Sequence, residues 1–203
     1  HLFNVYRFGS TFQKLFPLSV AYTEDSLKKA LSYVSKMNAG LGGTELLAPL
    51  KNICDTALPS GCQRNIILIT DGEIGNESDI YSLIKQTANK ARIFSVGIGN
   101  GPNEYFIKQI ARASGGAAEL VAPLERIEPK VLRLYKKIIN KSIDNIRVHW
   151  KGQTGQVPVA PVVYCGETVT IFGKAPSFNA QVRITGSIDG RKIEWLVPVR
   201  ESR

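Results

Sequence analysis

Two short polar motifs stand where buried strands are expected to end, and both carry oxygen donors. Gly42-Gly43-Thr44-Glu45 supplies a hydroxyl, and Thr70-Asp71-Gly72 supplies a carboxylate directly after the apolar run 66–69. Hard divalent cations such as Mg²⁺ take oxygen ligands, and open α/β sheets bind ligands outside the carboxyl ends of their strands. The two motifs therefore predict a metal site at Thr44 and Asp71 that serves binding and not catalysis.

Each of these residues also has a simpler interpretation. Thr44 suits a helix N-cap ahead of Leu46, because threonine caps helices well. Asp71 suits a turn before Gly72, since Asp-Gly pairs favour turns. Glu45, Glu73 and Glu77 lie nearby in sequence, but nothing in the sequence places them on an ion.

In their order along the chain, the two motifs resemble the second and third loops of the metal ion-dependent adhesion site of von Willebrand factor A domains. The branch that it resembles includes inter-alpha-trypsin inhibitor heavy chains and von Willebrand A domain-containing protein 5. Four more segments carry this resemblance: Phe8-Gly9-Ser10, Phe16-Pro17, Gly97-Ile98-Gly99 and Ala111-Arg112-Ala113-Ser114-Gly115-Gly116. The family's first loop, Asp-x-Ser-x-Ser, has no counterpart, and residues 3–8 match the family's second strand.

The resemblance implies a non-enzymatic protein–protein interaction module. In an intact domain of this kind, Mg²⁺ (or Mn²⁺ or Ca²⁺) keeps an open position that an acidic side chain of the partner fills. Without the first loop, this chain alone is expected to bind the metal weakly or not at all. Two alternatives remain open: a metal-independent structural part of a larger assembly, and an accessory region of a protein like the vault-associated ADP-ribosyltransferase.

The first 142 residues alternate strand and helix signals, which predicts an open, mostly parallel, Rossmann-like sheet flanked by helices. Residues 3–8 and 11–16 predict a hairpin. Continuous apolar strands at 65–70 and 93–98 are expected to be covered on both faces, and a short strand is expected at 118–121. Helices are predicted after Thr23, around Leu50, at 80–88, from Pro102 to Gly115, and from Pro129 to about residue 140.

From residue 143 onward the apolar positions alternate with a period of two, which is typical of strands. Strands are predicted at 145–150, 162–164, 168–173, 181–185 and 192–199, with a hairpin turn at Asp189-Gly190. Short strands of this number suggest part of a β-sandwich. The chain is thus divided into a von Willebrand A-like domain, 1–142, and a β-rich segment, 143–203.

The first strand of the family lies between the strands that match residues 3–8 and 65–70. Neighbouring strands are about 4.8 Å apart, so its absence would leave a gap of about 9.6 Å. Since open edges recruit other strands, the gap is expected to be filled. The candidates are upstream sequence, a second copy of the chain, a strand of the tail, or direct pairing of 3–8 with 65–70.

The remaining features indicate neither catalysis nor nucleic-acid binding. The net charge is +9 over 203 residues, and a basic stripe is expected to be a solvated helix face with its apolar side turned inward. Its members are Arg126, Lys130, Arg133, Lys137 and Lys141. Gly97-Ile98-Gly99-Asn100-Gly101 predicts a tight turn, since Pro102 breaks the dinucleotide pattern.

Neither the cysteines nor the sequence as a whole fixes the compartment. Cys54, Cys62 and Cys165 are interpreted as buried free thiols, although Cys54 and Cys62 could bridge a loop. No apolar stretch reaches the ~20 residues of a membrane helix. The two Asn-x-Ser triplets arise often by chance, and a cytoplasmic location is favoured over a secreted one.

Overall fold

The computed structural model describes residues 1–38, 40–88, 90–150, 162–170 and 181–198. Short strands open the chain: β1 (Leu2–Phe3), β2 (Tyr6–Phe8), β3 (Phe12–Lys14) and β4 (Val20–Ala21). Helices α1 (Glu24–Ser35) and α2 (Leu47–Asp55) follow. The central part alternates β5 (Arg64–Thr70), α3 (Glu77–Thr87), β6 (Ala91–Ile98), α4 (Glu104–Ala113), β7 (Ala118–Val121) and α5 (Ile127–Ile139). The last strands are β8 (Ser142–Trp150), β9 (Val162–Tyr164), β10 (Gln181–Ile188) and β11 (Arg191–Pro198).

The predicted N-terminal hairpin is present but shorter than expected. β2 pairs with β3, whereas β1 pairs with β4 instead of continuing into β2. The Asn4 side chain separates the two strands: its Oδ1 accepts from the Phe16 and Val5 amides, and its Nδ2 donates to the Phe16 carbonyl. These bonds replace the backbone ladder at that point, so one predicted strand becomes two.

Helix α1 begins as predicted, but its apolar face is only partly covered. Thr23 caps it, and the Thr23 and Ser26 side chains satisfy each other's backbone amides. Of the predicted inward positions Ala30 is buried, whereas Leu31 and Val34 are 61% and 50% exposed. The prediction for those two is wrong because no described element packs over them.

β5, β6 and β7 form a parallel sheet in that order. One core joins β5 and β6 to α2, α3 and α4; its buried members include Leu50, Leu68, Ile80, Ile93 and Phe106. A second core lies on the other face of β6, where Phe94 and Val96 pack with Leu134 of α5. β6 is thus covered on both faces, as its apolar sequence predicts.

β5 departs from that prediction. Ile67 and Ile69 are 44% and 46% exposed. They are in register with Phe94 and Val96, so they share the face that α5 covers over β6. Among the described strands, β5 pairs with β6 alone, and β2–β3 forms a separate sheet. Direct pairing of residues 3–8 with 65–70 is therefore not adopted, and an apolar strand edge stays open.

Two helix starts also differ from the prediction. α4 begins at Glu104 and not at Pro102, because the Asn103 side chain accepts from the Phe106 amide and caps the helix. α5 begins at Ile127, and Pro129 lies within its first turn, where a missing amide hydrogen costs little. α4 ends before Gly115-Gly116 as predicted.

The described C-terminal strands form one antiparallel sheet, in the order β11-β10-β8-β9. The turn at Asp189-Gly190 joins β10 to β11 as predicted. Residues 168–170 are not a strand, which corrects the prediction for 168–173; its remaining part, 171–173, lies outside the described residues. The change from helices to strands falls at Ser142, while the division into two domains stays a prediction.

Polar and apolar contacts tie this sheet to the parallel one. Arg92 of β6 donates to both carboxylate oxygens of Asp144, each at 2.9 Å, and to the Ser142 hydroxyl at 3.0 Å. The Tyr164 hydroxyl donates to the Gly115 carbonyl at 2.5 Å, and its ring lies 5.9 Å from that of Phe94. The second core therefore includes a side chain from the β-rich segment.

Candidate functional site

Thr44 and Asp71 come together at the carboxyl end of β5, as the sequence predicts. Thr70 ends the strand, and Asp71 and Gly72 follow it directly. A methyl group added to Gly72 would lie 2.9 Å from the Thr44 Oγ1. The threonine hydroxyl thus rests against the backbone next to Asp71, which only glycine permits at that distance.

Two further turns pack against this pair. A Cβ on Gly101 would lie 2.2 Å from the Asp71 carbonyl oxygen, so the turn after β6 presses on the Asp71 backbone. A Cβ on Gly9 would lie 2.2 Å from the Gly42 carbonyl oxygen, and the Ser10 amide donates to the Leu41 carbonyl at 2.9 Å. Glycines at these positions let three turns converge on one edge of the sheet.

Gly42 and Gly43 give the loop before Thr44 its shape. Their φ angles are +59° and +37°, a region that side-chain-bearing residues rarely adopt. A Cβ on Gly43 would also lie 2.8 Å from the Ser10 hydroxyl. Ser10 is therefore a neighbour of the site that the motifs alone did not single out.

The structure rejects the interpretation of Thr44 as a helix cap. α2 begins at Leu47, and its first amide hydrogen bonds to Glu45 Oε1 at 3.0 Å. Glu45 Oε2 accepts from the Asn76 side chain at 3.3 Å, so both carboxylate oxygens are engaged. Within the described residues, nothing hydrogen bonds to the Thr44 hydroxyl, which leaves it available as a ligand.

Asp71 is exposed, and no described residue forms an ion pair or a side-chain hydrogen bond with it. Glu77, in contrast, accepts from the Asn103 side chain at 3.0 Å. Asn76 and Asn103 thus occupy two of the neighbouring carboxylates, a role that no sequence pattern indicated. The adjacent pair available for a cation is one hydroxyl and one carboxylate.

The basic stripe on α5 is neutralised by ion pairs. Arg126 pairs with Glu128, Lys130 with Glu125, Arg133 with Glu119, Lys137 with Glu167, and Lys141 with Asp189. Leu134 on the opposite side is fully buried, as predicted. Charges that are already paired give little attraction for nucleic-acid phosphates, which agrees with the solvated-face interpretation.

The remaining predicted features are placed as follows. The three cysteines are free, but Cys62 and Cys165 are exposed and Cys54 is half-buried, so the expectation of buried thiols is wrong. Residues 97–101 form a tight strand-to-helix turn, with the Pro102 ring near Gly97. His149 is exposed on β8. None of the described helices has the length and hydropathy to cross a bilayer.

Comparison with solved structures supports the same architecture. The chain superposes on a von Willebrand factor type A protein from Catenulispora acidiphila with a TM-score of 0.66 and 15% identity, covering 98% of this chain and 56% of that one. Proximal thread matrix protein 1 from the mussel byssus, with a zinc-occupied MIDAS motif, gives a TM-score of 0.50 at 24% identity. That match covers 66% of this chain and 34% of the mussel protein.

Sequence relatives agree with the fold. The chain is 34% identical over 191 residues to von Willebrand factor A domain-containing protein 5A of Rattus norvegicus, covering 92% of the chain and 23% of that protein. It is 36% identical over 177 residues to human von Willebrand factor A domain-containing protein 5B1, covering 85% of the chain and 14% of that protein. The chain therefore spans less than a quarter of these two relatives. The family model for the von Willebrand factor type A domain matches residues 1–120, and the chain belongs to that family.

Proposed function

We propose that this chain contributes two ligands, Thr44 and Asp71, to a metal ion-dependent adhesion site, and that the longer protein binds a protein partner there. Domains of this family are generally protein–protein interaction modules. The observation that carries the proposal is the placement of the Thr44 hydroxyl against the Asp71–Gly72 backbone. Neither side chain has another partner among the described residues, whereas Glu45 and Glu77 do.

The residues present fit a divalent cation as part of a donor set. A hydroxyl and a carboxylate are hard oxygen donors, and Mg²⁺ uses one or two carboxylates while keeping several waters. The described residues contain no group of three or more His, Cys, Asp or Glu side chains suited to a metal. The first loop that the resemblance implies would have to complete the set. The zinc-occupied motif of the mussel protein supports a divalent ion on this fold.

The bound cation, Mg²⁺ (or Mn²⁺ or Ca²⁺), would supply positive charge for an acidic side chain of the partner. In this arrangement Asp71 anchors the ion by charge and Thr44 orients it through the hydroxyl. Gly72 and Gly101 keep both loops close enough for one ion to reach both donors. Recognition is then metal-dependent and needs no chemical step, which agrees with a non-enzymatic module.

The test uses the longer protein and Mn²⁺ as the probe. Binding is measured by electron paramagnetic resonance for the parent, for Asp71→Ala and for Glu73→Ala, which removes an exposed carboxylate two positions away. We expect Asp71→Ala to weaken Mn²⁺ binding at least tenfold, because a charged ligand is worth more than about 1.4 kcal/mol. Glu73→Ala should change it less than twofold. Equal affinities for all three proteins would contradict the proposal.

A second function rests on a different observation, the open edge of β5. Ile67 and Ile69 expose nearly half of their surface beside unpaired strand hydrogen-bonding groups. Edges of this kind pair with other strands. We infer that the isolated chain self-associates through β5, and that in an assembly this edge acts as a structural contact without metal.

A further inference from the structure

A cleft on the far side of α1 from its buried residues carries charge that the proposed metal site does not use. It has a volume of about 670 Å³ and lies between α1 and the segment after β3. Its lining consists of Leu15, Phe16, Lys28, Lys29, Ser32, Tyr33 and Lys36. None of these belongs to the Thr44 or Asp71 loops.

The three lysines of this cleft differ from those of α5. All five members of the α5 stripe form ion pairs, whereas Lys28, Lys29 and Lys36 form none with the described residues. Lys28 and Lys29 follow Glu24 and Asp25 by four positions, the spacing of helical ion pairs, yet neither pair forms. The cleft therefore holds uncompensated positive charge.

The cleft also contains an unsatisfied donor. The Tyr33 hydroxyl is buried, and it is the one buried side-chain polar atom without a hydrogen-bond partner in the described part of the chain. Buried polar groups without partners are costly and rare, and such a group in a native fold calls for a missing partner. An oxygen acceptor from a ligand would supply it.

The opposite wall is apolar and held in place. The Phe16 backbone is fixed at both its amide and its carbonyl by the Asn4 side chain. The Phe16 ring packs edge-on against Phe3, with centroids 5.9 Å apart. A fixed aromatic wall opposite lysines suits a ligand with an anionic head and an apolar body.

We propose that this cleft binds a small phosphate-bearing ligand with an aromatic or apolar body. Lysines bind phosphate as point charges, and the three here surround a tyrosine hydroxyl that donates to a phosphate oxygen. Phe16 and Leu15 contact the body of the ligand. The volume lies within the range of small-molecule sites. This site is independent of the cation site at Thr44 and Asp71.

The test is calorimetric titration of the full chain with phenyl phosphate and, separately, with inorganic phosphate. We expect saturable binding of phenyl phosphate and weaker binding of inorganic phosphate, because the latter lacks a body to contact Phe16. The double variant Lys29→Gln/Lys36→Gln should lose about tenfold in affinity, as two charges leave the cleft. Lys51→Gln, an exposed lysine outside the cleft, is the control for nonspecific charge and should change affinity less than twofold.

A second variant separates ligand binding from folding. Tyr33→Phe removes the unpartnered hydroxyl, so the free chain should be as stable as the parent or more stable, while affinity for phenyl phosphate falls about two- to tenfold. Thermal unfolding of the free variant verifies that it folds. Absence of saturable binding, or equal losses in the double variant and in Lys51→Gln, would overturn the proposal. Unchanged affinity in Tyr33→Phe would overturn the role of its hydroxyl.

Discussion

The attachment of the β-rich segment through Tyr164 makes the stability of the chain depend on alkaline pH. Tyr164 is 4% exposed, and its hydroxyl donates to the Gly115 carbonyl at 2.5 Å. Burial raises its pKa from 10.0 to about 12, partly opposed by the nearby Arg92 guanidinium. The perturbation that isolates this side chain is Tyr164→Phe, which keeps the ring against Phe94 and removes the proton.

The sign and size follow from linkage. Because the pKa in the folded chain is raised, the stabilising contribution is complete below pH 10 and is lost as the pH rises from 10 to 12. One pKa unit is worth about 1.36 kcal/mol, so the full loss is about 2.7 kcal/mol, of which about 1.4 kcal/mol is lost by pH 11. At neutral pH the variant should be less stable than the parent by about 1–2 kcal/mol, since it leaves the Gly115 carbonyl unpaired.

The assay is urea denaturation of parent and variant, followed by circular dichroism at pH 8, 10 and 11. The stability deficit of Tyr164→Phe should shrink above pH 10, and the two free energies of unfolding should cross near pH 11. Tyr135→Phe, in which the lost hydroxyl belongs to a half-exposed side chain, controls for the loss of one tyrosine. A deficit that stays constant from pH 8 to pH 11 would refute the argument that burial of Tyr164 links folding to its proton.

Three further outcomes are expected. Calorimetry of this chain with Mg²⁺ should show binding weaker than micromolar, because one hydroxyl and one carboxylate are too few ligands; micromolar affinity would contradict this. Light scattering should show self-association that Ile67→Lys abolishes and Leu31→Lys, on exposed α1, does not; burying the exposed half of Ile67 contributes about 1 kcal/mol. Gly116→Ala should lower the free energy of unfolding by about 2 kcal/mol or more, since its Cβ would lie 1.9 Å from the Ile93 carbonyl oxygen. Gly75→Ala, with no atom within 4 Å of the added Cβ, should have little effect, and equal denaturation midpoints for the two glycine variants would refute the clash.

The exposed face of β5 shows where sequence patterning stops being informative. The run 66–69 is apolar at every position, which predicts burial on both sides. Burial requires a covering element, however, and α5 covers β6 while leaving Ile67 and Ile69 exposed. Leu31 and Val34 on α1 are exposed for the same reason. Periodicity identifies the apolar face of an element but not what packs against it.

The candidate site divides in the same way. The order of Gly42-Gly43-Thr44 and Thr70-Asp71-Gly72 was sufficient to predict that Thr44 and Asp71 meet at one edge, because parallel strands bring their carboxyl ends together. The choice between a capping and a ligand role for Thr44 depended on Glu45, whose carboxylate binds the first amide of α2 instead. That contact depends on the path of the loop, and the positive φ angles of Gly42 and Gly43 set this path.

The sequence by itself determined the alternation of helices and strands up to Ser142, the change to strands beyond it, and the pairing of Thr44 with Asp71. These follow from local periodicity, glycine positions and strand polarity, all of which act within short stretches of chain. Only the tertiary structure decided which charges are neutralised and which stay free: it paired the five α5 cations with acids from other segments and left Lys28, Lys29 and Lys36 unpaired among the described residues. Such pairing depends on distances between side chains far apart in sequence, which no local pattern specifies.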